Sequence, residues 1–185
     1  PILIEVTGGR YTEEASGRNV ALRGGDFLYG VEDYVQGEEI TTSLTYYTTL
    51  ATGLAEYMVR TGQKPGVAID RANEVVSDML GFDIQKVTPL EITDRNNATP
   101  VVTNEHLYGF ATAAISGLTR WISLQNGDEA DIHEEYNSIR FAAAAYRDIA
   151  SDGMLDGVGT NGVIAQGIVR LTPDIYRSKV ARTML

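Results

Sequence analysis

The sequence predicts a mainly α-helical domain, a bundle of four or five helices with a short β-rich N-terminal segment. Three observations carry that expectation. Apolar residues come in short or alternating runs up to about Thr42, and from Ser43 onward they recur at helical spacing. Gly8-Gly9 and Ser16-Gly17 separate the early runs, whereas Gly62, Gly81 and Asn126-Gly127 close the later ones. The composition, 43% hydrophobic and 22% charged among 185 residues, is that of a chain able to bury its own core.

Ile2-Leu3-Ile4-Glu5-Val6 is the clearest strand, and shorter ones are expected at 10–12, 19–22, 27–29 and 39–41. So few strands rarely stand alone, so residues 1–42 are read as the tail of an upstream β domain, or failing that as a cap on the helices. Residues 43–185 form the helical domain. Its first helix carries Leu44, Tyr47, Leu50, Ala51, Leu54 and Met58 on one face and stops at Gly62. After Lys64-Pro65-Gly66, a second helix sets Ala68, Ala72, Val75, Val76, Met79 and Leu80 inward and ends at Gly81. The stretch 82–102, long and interrupted by Pro89 and Pro100, is expected to be an ordered loop packed on the helices. Thr103 caps a third helix with a stripe of Leu107, Ala111, Ala114, Ile115, Leu118 and Ile122. The acidic stretch 128–131 leads into a fourth helix over 134–150, and Thr172-Pro173-Asp174 opens a short last one.

The segment Thr41-Thr42-Ser43-Leu44-Thr45-Tyr46-Tyr47-Thr48-Thr49-Leu50-Ala51 resembles a Thr-Pro-Leu-Thr-Thr-Leu-Ala motif that opens a helix in exported proteobacterial proteins. Ile4-Glu5-Val6-Thr7-Gly8-Gly9, with Tyr11 and Glu14-Ala15, is similar to the segment upstream of that motif, which closes an immunoglobulin-like or carboxypeptidase-regulatory-like β domain. Ala68 to Gly81 and Asp152-Gly153-Met154-Leu155-Asp156-Gly157 resemble the second helix and a later turn. Ser43 stands where that pattern has Pro, and Tyr46-Tyr47 enlarges it. The resemblance implies an exported module at the cell surface, secreted or periplasmic, of the kind found in lipoproteins and adhesin-like proteins. It brings no catalytic residues.

A net charge of -10 opposes nucleic-acid binding, which rests on clustered Lys and Arg. Envelope or surface proteins, glycans and cations are the expected partners. The absence of cysteine excludes disulfides, thiolate nucleophiles and Cys-ligated metals. No run approaches the roughly 20 apolar residues of a transmembrane helix. The start at Pro1 is read as a processed chain or a fragment, with any targeting segment upstream.

The strongest candidate site is the turn after the fourth helix, where Asp148, Asp152 and Asp156 recur every four residues and Asn161 follows among glycines. These oxygen donors suit calcium, although against an EF-hand loop begun at Asp152 positions three and twelve are Met154 and Val163. The plainer reading makes Asp152-Gly153 and Asp156-Gly157 turn formers. Gly157-Val158-Gly159-Thr160-Asn161-Gly162 matches a dinucleotide fingerprint in letters only, because a helix and not a strand precedes it. His106 and His133 lack a metalloprotease spacing, and the sequon at Asn97 is read as chance. Glu13-Glu14, Glu38-Glu39 and Glu134-Glu135 are adjacent carboxylates, plainly read as solvated, and Tyr46-Tyr47 offers a stacking pair. The expected role is therefore a non-catalytic structural or adhesive module, with calcium as a stabiliser. Two other roles stand beside it: a filament or assembly subunit that forms homo-oligomers through residues 2–6, and a hydrolase using acidic residues.

Overall fold

Thr45, not Ser43, opens the first helix, because its hydroxyl accepts from the backbone N–H groups of Tyr47 and Thr48 while the Thr48 hydroxyl accepts from Thr45 N at 2.9 Å. In the computed structural model, which describes residues 1–33, 36–37, 39–97, 101–127 and 135–179, this helix is α1 (Tyr46–Arg60). It is followed by α2 (Pro65–Leu80), α3 (Asn104–Gln125) and α4 (Ser138–Asp152). The first ten residues of α1 are buried on every side, so α1 is the central element. Gly53 lets α4 lie directly against it: a Cβ there would stand 2.8 Å from Ile149 Cγ2 and 3.0 Å from the Tyr146 carbonyl. Leu50 and Leu54 meet Val76, Tyr108, Ile115 and Phe141 in one core.

Four strands precede the helices: β1 (Ile2–Thr7), β2 (Arg10–Glu13), β3 (Arg18–Ala21) and β4 (Phe27–Glu32). They form two antiparallel ribbons, β1 with β4 and β2 with β3. Both ribbons lie on the helices. Leu28 and Val31 pack on the helical core, Val20 is buried, and Ala15 N donates to Ser116 Oγ of α3 at 2.7 Å. No strand forms at 39–41.

The described residues are mixed α/β, with a larger β share than the sequence predicts. The glycine-rich connection after α4 folds into two small hairpins, β5 (Val158–Gly159) with β6 (Gly162–Val163) and β7 (Ala165–Gln166) with β8 (Val169–Arg170). The short last helix opened by Thr172-Pro173 does form, helical at 173–174 and continuing as a π-helical turn, Ile175–Lys179. α4 begins at Ser138 rather than at 134, because Asn137 is fully buried and its side chain accepts from Arg140 N at 2.8 Å. The acidic stretch 128–131 and residue 134 lie outside the described residues. Among those residues no helix is long and apolar enough to cross a membrane.

Candidate functional site

Asp148 sits on the buried side of α4 and accepts from Gly157 N at 2.8 Å and Val158 N at 3.1 Å. Burial raises its carboxyl above the ordinary range, and the two N–H groups work against that rise. The Tyr176 hydroxyl is near enough to be felt by Asp148, yet among the described residues it has no partner in hydrogen-bonding geometry. Asp152 accepts from Met154 N at 2.9 Å and Asp156 from Val158 N at 2.8 Å, each a side chain closing its own turn. Asn161 is exposed in the turn between β5 and β6. Helical spacing brings Asp148 and Asp152 to one side of α4, but backbone donors engage all three carboxyl groups. Among the described residues no three His, Asp or Glu side chains form a group that could hold a metal ion. A hairpin, not a helix, follows Gly157, so a dinucleotide loop is excluded on geometry.

His106 completes the cap of α3. Its Nδ1 accepts from Thr103 N at 3.3 Å, which leaves Nε2 to donate to Asn97 O at 3.0 Å. His133 and the rest of the Asn97 sequon lie outside the described residues. Tyr46 and Tyr47 are core residues rather than a stacking surface: Tyr46 stacks on Phe141 with centroids 5.6 Å apart, and the Tyr47 hydroxyl donates to Ala111 O.

Of the Glu13-Glu14 pair only Glu14 keeps contact with solvent. Glu13 is fully buried at the N-terminus of α4, where it accepts from Ser138 N at 3.0 Å and from the hydroxyls of Ser138 and Tyr11. A carboxyl from β2 thus accepts from an orphan N–H of a helix that begins 125 residues later, at the end where the helix dipole favours negative charge. Both glutamates line a cavity of about 300 Å³ whose apolar wall includes Leu28, Leu44, Ile115 and Ile139. Glu14 is half-buried there, and burial, then the charges of Glu13 and Glu91, push its carboxyl up to about 7. Nothing in the sequence marked Glu13 as a cap, because the partner helix is remote in the chain.

This shift has a measurable sign. A carboxyl raised in the folded state binds more protons there than in the unfolded chain, so its contribution is fully present below the unfolded value near 4.5 and is lost as pH rises through about 7. Glu14→Gln is expected to leave stability unchanged near pH 4 and to add about 1–2 kcal/mol at pH 8, after allowing for solvent screening of a half-exposed group. Urea unfolding of both proteins at the two pH values measures the difference. A gain of equal size at both would show that Glu14 does not titrate in this window.

The β1–β4 ribbon has two edges of different character. Tyr29 N donates to Thr49 Oγ1 at 2.9 Å and Val31 O accepts from Asn73 Nδ2 at 3.3 Å, so the outer edge of β4 is held by α1 and α2. Tyr29 therefore points its backbone groups away from β1, and its partner Glu5 is in a non-hydrogen-bonded pair. By the same alternation Leu3, Glu5 and Thr7 direct their N–H and C=O groups to the outer edge of β1, where no described strand pairs with them.

No family model, no curated protein and no solved structure matches this chain.

Proposed function

We propose that the chain is a non-catalytic structural or adhesive module of an exported bacterial envelope or secreted protein, and that two copies join through the outer edge of β1. The single observation that supports it is the asymmetry of the ribbon: helices occupy one edge, and the other offers a row of backbone donors and acceptors. The register follows from charge. Antiparallel pairing centred on Ile4 sets Leu3 against Glu5 of the second copy, joins Ile4 to Ile4, and keeps the two Glu5 side chains apart. Centring on Glu5 would oppose like charges directly.

Catalysis by acidic residues needs a second carboxyl facing Glu14 across the cavity, and among the described residues that line it the other carboxyl is Glu13. Glu13 adjoins it in the chain and is engaged with Ser138 and Tyr11. No bound cation is required for the reading.

Leu3→Pro tests the proposal, because it removes an outward N–H that the β1–β4 ladder does not use. Sedimentation velocity is expected to show a concentration-dependent dimer that strengthens with salt, since each copy carries a net charge of -10. In Leu3→Pro the dimer is expected to weaken about tenfold or more, with a similar melting temperature. A wild-type monomer at every concentration, or equal association of the variant, would exclude the edge.

A further inference from the structure

We infer that the cavity between α4 and the β7–β8 hairpin binds a small ligand carrying an amide beside a carboxylate, the chemistry of a peptide's C-terminal residue. The site is separate from the β1 edge and does not depend on it. The cavity measures about 280 Å³ and is lined by Glu135, Tyr136, Arg140, Arg147, Ile164 and Gln166 among others. Gln166 is only 5% exposed, and among the described residues neither Oε1 nor Nε2 has a hydrogen-bond partner. Leaving both ends of a buried amide unmatched carries their full desolvation cost, which calls for an explanation in a folded chain. The backbone around it is fully engaged: Gln166 O accepts from Asn126 Nδ2 at 3.1 Å, Ile168 N donates to Asn126 Oδ1 at 2.7 Å, and Gln166 pairs with Val169.

The charges on the cavity wall define the other half of the ligand. Glu135 faces Arg23 at 3.3 Å, and Arg140 is committed to Asp26 at 2.9 Å. Arg147 lies over the Phe27 ring, 5.7 Å from its centre, and reaches the Gly25 carbonyl. Among the described residues no carboxylate lies within ion-pair distance of it, although acidic side chains outnumber Lys and Arg by 25 to 15. A planar guanidinium so placed can donate two parallel hydrogen bonds to a carboxylate. A secondary amide matches Gln166, offering a donor to Oε1 and an acceptor to Nε2. The volume lies just below the usual range for ligand pockets, room for one acylated amino acid rather than a long peptide.

N-acetylalanine is the probe, with acetate and N-methylacetamide as its two halves, titrated against the whole chain by NMR. N-acetylalanine is expected to bind in the millimolar range, about tenfold or more tighter than either half. Gln166→Leu is expected to reduce its binding to that of acetate while the melting temperature holds or rises, because the unmatched amide is gone. Arg147→Met, on the cavity rim, is expected to erase the preference for N-acetylalanine over N-methylacetamide. Absence of binding to the folded wild type at about 10 mM, or binding that ignores both substitutions, would overturn the assignment.

Discussion

Glu13→Ala is expected to cost about 3–5 kcal/mol and to loosen the β2–β3 hairpin from the helices. Three donors lose their acceptor at once: Ser138 N–H, the Ser138 hydroxyl and the Tyr11 hydroxyl. All lie where water does not reach Glu13 itself, so the loss is a desolvation cost and not the small net value of an exposed hydrogen bond. The N-terminus of α4 also loses the negative group on its dipole. Glu13→Gln keeps the shape and an acceptor but gives up the charge, so it should cost about 1–2 kcal/mol. Urea unfolding measures the totals, and hydrogen exchange at the amides of 10–13 and 18–21 locates them. A loss below about 1 kcal/mol for Glu13→Ala would show that the cap adds little. The hairpin would then be held mainly by its contacts to α3, the Ala15–Ser116 bond and the Arg120–Ala15 bond.

What could be read from the sequence was what depends on near neighbours. The stripe Leu50, Ala51, Leu54 placed α1, and Gly81 placed the end of α2, because a helix repeats its environment every three or four residues. Two-residue strands have no period to read. The hairpins over 158–170 showed themselves only as scattered glycines, and Gly167, with φ of 61°, sits where a tight hairpin turn needs it. The start of α4 differs from the one the sequence predicts for a related reason. Carboxylates near 134 suit a helix N-terminus, yet the cap belongs to Asn137, whose burial no local pattern announces.

The site was less legible than the fold. The acidic residues after α4 stood out as a cluster, but whether a carboxyl meets a cation or a backbone N–H depends on where the chain returns. At Asp148 it returns through Gly157 and Val158. Glu13 was visible only as half of an acidic pair, since its partner Ser138 comes from a different element. Gln166 carried no signal at all. Its significance lies in two missing hydrogen bonds, a property of the folded surroundings rather than of the residue.

Gly157 joins these levels, and Gly157→Ala is expected to be the most damaging single-methyl change near α4, at about 4 kcal/mol or more. Its φ of 80° alone penalises any side chain. A Cβ would also overlap the carbonyl of Leu171, a fully buried residue whose N–H is bonded to Ile164 O at 3.0 Å. Backbone cannot swing aside as a side chain tip can. Relief requires moving Leu171 out of the core or Gly157 away from Asp148, and the second course breaks the bonds that hold the turn. Gly162→Ala separates the two costs. Gly162 has φ of 101° but nothing within 4 Å of its would-be Cβ, so it should lose only the conformational part, about 1 kcal/mol. The two variants, unfolded in urea side by side, give the cost of the overlap as their difference. Equal losses would mean that the approach of Leu171 to Gly157 yields easily, and that Asp148 does not hold this turn rigidly.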